Sequence, residues 1–356
     1  MISSTPIVTA LLSYGMSGEV FHAPLLQAHP GFTLYASVQR KSSTSKNRYP
    51  QVLVYTDFEH VVKDKIIELV VVNTPNETHY DYSRRLLESG KHVVVEKPFT
   101  VTSREAADLI SLAQQKNRVL TVFQSRRWDG DFLTLKKVIE NKWLGKIVEF
   151  ESHYDRFRNY IQPNTWKEES RPGTGILYNL GSHLLDQVLI LFGSPQEADA
   201  RIGIQRPGGA VDDFYDIRLI YDGFQVIVKS SYLVREPGPR YILHGTEGSF
   251  IQYGIDSQEE ALKNGEIPGS PGWGQGAPDT WGRLNTTLNG LHTRGRVETI
   301  PGNYLKFYDN VYSAIREQKE LAVKPEESMK VIELIELCYE SNRLRKAIQI
   351  QFRAGK

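Results

Sequence analysis

Two aliphatic runs, Leu69-Val70-Val71-Val72 and Val93-Val94-Val95, stand about one helix apart in the first third of the chain. Aliphatic runs without polar alternation suit strands covered on both faces, the setting that a parallel sheet provides. Strand-like segments at 7–12, 33–38 and 119–123 flank them, and helical patterns at about 18–29, 58–63, 77–89 and 103–116 fall between. Parallel neighbours need a crossover, which helices of this length supply. The alternation predicts an α/β domain with a doubly wound parallel sheet over residues 1–124.

A chain of 356 residues exceeds one ordinary core, so a second domain is expected over 125–356. There, a helical pattern at 131–141 precedes a half-buried strand at 146–157 and a helix at about 174–192. Strand patterns follow at 197–205, 214–221, 225–232 and 241–245. This order reads as α/β, with a large open, mainly antiparallel sheet that has one face to cover. Residues 265–295 are rich in glycine and proline and carry Trp273 and Trp281, which predicts an irregular lid or an oligomer arm. Helical patterns at about 304–318 and 325–346 complete the chain, and are expected to pack back near the first domain.

Composition narrows the function classes. Lys and Arg number 43 against 42 Asp and Glu, a balance that gives no attraction for nucleic acid or an anionic membrane. No stretch approaches the roughly 20 apolar residues of a bilayer span. Cys338 is the single cysteine, which excludes an intramolecular disulfide and a thiol-rich metal site. No His/Cys cluster has ligand spacing, so no metal is expected. With no basic leader, a cytoplasmic location is expected.

The second aliphatic run passes directly into Glu96-Lys97-Pro98-Phe99. A lysine where a buried strand ends needs a partner or a task. Proline biases Lys97 toward extended geometry and aims its amine. Alone, the tetrapeptide fits a solvated lysine before an ordinary turn.

After the first strand stands Ser13-Tyr14-Gly15-Met16-Ser17-Gly18, a G-x-G-x-x-G pattern with serine in the first position. In the first βα turn, such glycines admit a pyrophosphate against the backbone and the N–H groups of the following helix. Tyr14, Gly15, Met16, Ser17 and Gly18 are therefore candidate nicotinamide-dinucleotide contacts. An acid at the end of the next strand would bind the ribose 2′-hydroxyl of NAD. The chain has Gln39-Arg40-Lys41-Ser42-Ser43 instead, a group suited to a 2′-phosphate, so NADP is expected in preference to NAD, with Arg40 its principal contact. The third strand runs into Asn73-Thr74-Pro75-Asn76-Glu77-Thr78-His79, at the carboxyl edge where open α/β sheets bind ligands. Thr74, Pro75, Asn76 and His79 join the candidates from this turn. Asn76 also reads as a helix N-cap and His79 as a packed ring.

Taken together, Gly15–Gly18, Thr74–His79, Glu96-Lys97-Pro98, the segment 175–186 and Gly245-Thr246-Glu247-Gly248-Ser249 resemble the Gfo/Idh/MocA oxidoreductases over nearly the whole chain. Phe21-His22-Ala23-Pro24 and Arg127-Trp128-Asp129-Gly130-Asp131-Phe132 are similar to the subgroup that contains NADP-dependent scyllo-inositol dehydrogenases. The resemblance implies a Rossmann domain, then an α/β domain whose open sheet forms a homodimer or homotetramer. It also implies hydride transfer between the nicotinamide and a secondary alcohol or ketone of a cyclic polyol or sugar.

In that family the catalytic groups are the lysine of Glu-Lys-Pro and a helix with Asp and His four residues apart. The matching positions are Lys97, His183 and Asn179, with Asn179 departing from the usual aspartate. The implied roles give His183 the proton transfer, and Lys97 both the orientation of the substrate oxygen and the tuning of His183. Glu96 and Lys97 are expected beside the cofactor. On an α-helix, residues 179, 183 and 186 share one face. Asp186 would supply a carboxylate near His183 or pair with a cation. Arg127, Trp128, Tyr154, Arg156 and Trp166, with Asn179 and His183, are candidate substrate contacts, because aromatic faces and planar donors suit a polyhydroxylated ring. Dehydrogenation of another aldose or ketose is the nearest alternative, and a non-catalytic nucleotide- and sugar-binding regulator is the alternative from another class. The basic Arg40-Lys41 turn disfavours lyase or glycosidase chemistry with a tightly held NAD.

Overall fold

The computed structural model describes residues 5–352, which divide into two compact units. The first comprises residues 5–128, 258–273 and 303–329. Its sheet contains β1 (Ile7–Leu11), β2 (Phe32–Val38), β3 (Leu53–Tyr55), β4 (Leu69–Val72), β5 (His92–Val95) and β6 (Leu120–Val122). They run in the order β3-β2-β1-β4-β5-β6, and every neighbouring pair is parallel. This is the Rossmann order, with its switch point between β1 and β4. Val70–Val72 and Val93–Val95 are fully buried, as strands covered on both faces require. The three-residue edge strand β3 is too short for a readable period and was not expected.

Local chemistry ends these helices where the sequence suggests. Thr102 and Glu105 form a reciprocal capping box at the start of Ser103–Lys116, and Asn117 closes that helix at φ 51°. The first helix behaves differently. It opens as a π-helical turn, Gly18–His22, and becomes α-helical over Ala23–Ala28. Pro24 explains the widening: it has no N–H, and its ring crowds the carbonyl four residues back. Ala23 accordingly donates to the Gly18 carbonyl, five residues back. Later in the same unit, Leu305–Arg316 brings Phe307 edge-on to Phe123, with ring centroids 4.9 Å apart.

The second unit comprises residues 129–257, 274–302 and 330–352. It holds β7 (Ile147–His153), β8 (Glu197–Gly203), β9 (Phe214–Tyr221), β10 (Phe224–Ser231), β11 (Tyr241–Gly245), β12 (Gly248–Gln252), β13 (Gly282–Leu288), β14 (Leu291–Val297) and β15 (Ile348–Gln349). The order is β14-β13-β12-β11-β7-β10-β9-β8-β15, antiparallel except for β7 beside β10. In β9 the residues Tyr215, Ile217, Leu219 and Tyr221 are buried, while the alternate residues are half-buried or exposed. One face is therefore covered, and the helix Ser182–Phe192 covers part of it through Phe192 against Phe150 and Phe224.

The expectation of an irregular segment at 265–295 is corrected here. From residue 282 onward it belongs to a hairpin, β13 and β14, closed by Asn289-Gly290 at φ 51° and 80°. Positive φ at both central residues is the type I′ turn that an Asn-Gly pair favours.

Candidate active site

At the end of β1, Gly18 is the glycine that the fold requires. A Cβ there would lie 2.3 Å from the Ser13 carbonyl oxygen and 2.8 Å from Asn73 Nδ2. Gly15 and Met16 are exposed at the loop's crest, and the Ser17 hydroxyl makes no capping bond. The Tyr14 hydroxyl is buried without a hydrogen-bond partner among the described residues, and burial pushes its pKa up to about 12. A bare backbone approach, an uncommitted serine hydroxyl and an orphaned phenol fit a phosphate-bearing ligand at a helix N-terminus.

Asn73, which sequence reasoning passed over, organises this loop. Its Oδ1 accepts from Ser13 N–H at 2.9 Å, and its Nδ2 donates to the Ser13 carbonyl at 2.8 Å. The only sequence signal was its place as the first polar residue after the aliphatic run. Thr74 and Pro75 are half-buried in the next turn, with Thr74 Oγ1 2.6 Å from Thr78 Oγ1.

One reading of this turn is corrected. Asn76 is not a helix cap: it lies inside a 3-10 turn, Asn76–Thr78, with Pro75 in the capping position before it. His79 packs inward, as the packed-ring reading expects. Its ring is fully buried, with Nδ1 2.9 Å from the Pro98 carbonyl and Nε2 3.0 Å from the Thr74 carbonyl. Burial lowers its pKa, and the ring ties two ligand-edge turns together.

At the end of β5, Lys97 is half-buried, and the Lys97–Pro98 peptide is cis. Glu96 faces inward: Oε1 meets His22 Nε2 at 2.9 Å, and Oε2 accepts from the Lys97 N–H at 3.1 Å. Burial opposes charge on this carboxyl, but the His22 hydrogen bond and the charges of His22 and Lys97 outweigh it and hold the pKa below the usual range. Both of its oxygens bond within the protein, so Glu96 braces the lysine segment.

At the end of β2, the exposed Arg40 follows a buried Gln39. Gln39 Nε2 donates to Ser37 and Ser45 at 2.9 and 2.6 Å, while its Oε1 accepts from Ser42 and Thr44 at 3.2 and 3.0 Å. The glutamine thus turns into the core and holds the basic loop around itself.

In the second unit, Asn179 lies within another π-helical turn, Leu177–Gly181, and His183 lies in the α-helix that follows. The wider turn changes the angular spacing between positions 179 and 183 from the expected α-helical value. Asn179 Nδ2 donates to the Tyr232 hydroxyl at 3.3 Å. His183 and Asp186 are buried. Asp212 anchors the start of this turn, accepting from Leu177 N–H at 3.0 Å through its carboxylate and from Ile176 N–H at 2.8 Å through its carbonyl. Gly175, at φ 97°, permits that approach, since a Cβ would lie 2.1 Å from the Asp212 carboxylate. Tyr232 was another residue without a sequence signal. The guanidinium of Arg206 lies 4.8 Å from its ring centroid and is itself held by Glu168 and Asp213, at 2.8 Å each.

The expected substrate contacts separate. Arg127 donates to Glu327 at 2.7 Å and to the Ala322 carbonyl at 3.0 Å, which gives it a structural role. Tyr154 is 2% exposed, with Arg240 and Arg156 guanidiniums 4.5 and 5.5 Å from its ring. Trp128 meets Phe307 edge-on at 5.9 Å. Arg156 and Trp166 are half-buried and retain accessible surface.

Residues 9–124 match the family model described as oxidoreductase family, NAD-binding Rossmann fold, and residues 136–350 match its C-terminal alpha/beta domain. A Bacillus subtilis protein named scyllo-inositol 2-dehydrogenase (NADP(+)) IolW is 38% identical over 97% of this chain and 96% of its own. An uncharacterized oxidoreductase of Schizosaccharomyces pombe is 40% identical over 97% of this chain and its full length. Among solved structures, the Bacillus subtilis oxidoreductase yvaA superposes with a TM-score of 0.94 at 37% identity, covering 98% of this chain and 99% of its own.

Proposed function

The chain belongs to the Gfo/Idh/MocA oxidoreductases, enzymes acting on CH–OH groups, and from that premise we propose that it is an NADP-dependent dehydrogenase of a cyclic polyol or sugar of inositol type. The observation that carries the cofactor preference is the end of β2. Gln39 occupies the core-facing position, and the next side chain, Arg40, is an exposed cation with no carboxylate beside it in the Gln39–Ser43 turn. A 2′-phosphate suits that cation, whereas NAD would leave it without a counter-charge. Support for the substrate class comes from the Bacillus subtilis relative's name.

Gly15, Met16, Ser17 and Gly18 would hold the pyrophosphate, Tyr14 would approach it, and Thr74, Pro75 and Asn76 would border the nicotinamide ribose. When bound, the cofactor supplies or accepts the hydride. Lys97 donates hydrogen bonds to the substrate oxygen and holds it. His183 takes the hydroxyl proton during oxidation and returns it during reduction. Asn179 orients His183 without adding charge, and Arg156 and Trp166 remain proposed ring contacts. The half-exposed face of the sheet is proposed as the surface of a cytoplasmic homodimer or homotetramer.

The test follows nicotinamide absorbance with NADP and NAD against a panel of inositols, inososes, aldoses and ketoses. Turnover of an inositol–inosose pair with NADP preferred, abolished by Lys97→Met, is the expected result. Tight NADPH binding without turnover of any substrate would replace the enzyme with a nucleotide- and sugar-binding regulator.

A further inference from the structure

A chain of three side chains in the first unit, two of them fully buried and the third half-buried, ends at the Lys97 backbone. Tyr308 and His22 are both 0% exposed, with Tyr308 Oη 2.7 Å from His22 Nδ1. His22 Nε2 lies 2.9 Å from Glu96 Oε1, and Glu96 Oε2 accepts from the Lys97 N–H at 3.1 Å. Phe123 covers the imidazole at a centroid distance of 4.4 Å. His22 closes the π-helical turn that starts at Gly18, so the far end of this chain is attached to the glycine loop.

We propose that His22 is a positioning residue for Lys97, fixing the lysine's peptide through Glu96 and making its placement depend on the helix that begins at the glycine loop. The inference rests on the reading of Lys97 as the group that holds the substrate oxygen.

The direction of the bond between His22 and Glu96 follows from the carboxylate. Glu96 is held as a carboxylate, so both of its oxygens accept, and Nε2 of His22 must donate. Burial raises the Tyr308 pKa well above its usual value, so the phenol keeps its proton; it donates to Nδ1 of a neutral imidazole and accepts from Nδ1 of an imidazolium. In either state all three side chains are satisfied. The other titratable groups near Glu96 are Lys97 and His79, and the backbone contacts of His79 fix its ring.

Packing alone does not explain the arrangement. Phe123, Phe307 and Phe21 surround this part of the unit, and apolar residues of similar volume often replace buried polar pairs at no loss of stability. What a carboxylate and an imidazole add is direction. Glu96 accepts one particular N–H, that of Lys97, and His22 lets the carboxylate do so without facing apolar surroundings.

The test reads Lys97 without requiring turnover. Competitive acetylation of the full-length protein, followed by peptide mass spectrometry, gives the reactivity of each lysine with and without NADPH. In His22→Leu and Tyr308→Phe, Lys97 reactivity should change by about threefold or more, equivalent to roughly half a pKa unit. NADPH should protect it less than in the wild type, and the exposed Lys63 should react unchanged. His22→Gln, which keeps a donor and an acceptor, should restore most of the wild-type reactivity. If His22→Leu does not fold, Tyr308→Phe decides, since it removes a single hydroxyl. Unchanged Lys97 reactivity and protection in a folded Tyr308→Phe overturns the proposal while leaving the dehydrogenase reading intact. Failure of every polyol to turn over leaves the labelling readable.

Discussion

Asn73 holds the Ser13 peptide by both polar atoms, accepting its N–H at 2.9 Å and donating to its carbonyl at 2.8 Å. The pairing joins the ends of β1 and β4 at the switch point of the sheet, and Gly18 packs directly over it. Asn73→Leu removes both bonds and leaves two backbone groups unsatisfied, a cost of about 2–3 kcal/mol in this buried setting. Urea unfolding should show that loss, and titration by NADPH fluorescence should show weaker binding. Asn73→Asp keeps the acceptor for Ser13 N–H, but sets a carboxylate oxygen against the Ser13 carbonyl. Its binding should fall between the two. Wild-type affinity in Asn73→Leu would separate this pairing from the cofactor.

Arg40 tests the choice of nucleotide. Arg40→Glu puts an acid where a ribose 2′-hydroxyl would accept one and a 2′-phosphate would be repelled. The ratio of kcat/KM for NADP to that for NAD should fall by about a hundredfold, close to 3 kcal/mol in differential binding. Gln39 remains in place, so Tm should change little. An unaltered ratio would assign the basic turn to solvent.

Much of this geometry was legible because it is local. The βαβ alternation, the glycine turn and the lysine after β5 each depend on a few consecutive residues and the period of their side chains. The Asn289-Gly290 hairpin was equally local, and it was missed because its strands are polar: Arg283, Asn285, His292, Arg294 and Arg296 hide the apolar alternation. Other features depend on residues far apart in sequence. Asn73 meets Ser13 across 60 positions and Tyr308 meets His22 across 286, separations that no periodicity encodes. Arg127 shows the converse limit. Its residue type suited a substrate, and nothing in its neighbourhood announced that Glu327, 200 positions on, holds its guanidinium. The π-helical turns at Gly18–His22 and Leu177–Gly181 lie between these cases, since Pro24 predicts the first and nothing in the sequence announced the second.

Glu68 and Arg316 give a pH signature of stability in the first unit. Arg316 binds both carboxylate oxygens, at 2.7 and 2.8 Å, and these bonds are the main reason the Glu68 pKa is lowered. A depressed folded-state pKa means that the stabilisation is complete above the unfolded value of about 4.3 and is lost as pH falls through the folded value. The carboxylate is 36% exposed, so screening limits the pair to about 1 kcal/mol. Glu68→Gln should lower the urea midpoint near neutral pH, and the difference from wild type should vanish under acid conditions. A difference that persists unchanged in acid would mean that the glutamate's shape, not its charge, matters.

Asn179→Asp asks whether an absent charge shapes the proton step. The asparagine donates to Tyr232 at 3.3 Å, and an aspartate there must accept from the same hydroxyl, reversing the hydrogen bond. It also places a carboxylate four residues before His183, across the junction from π-helix to α-helix. A nearby negative charge favours imidazolium, so the acidic limb of the oxidation pH–rate profile should move upward by about one unit. Tyr232→Phe in the same background separates the two effects: without the hydroxyl to share the carboxylate, the limb should move further. A profile unchanged in both variants would remove position 179 from the proton path and leave His183 to act without it.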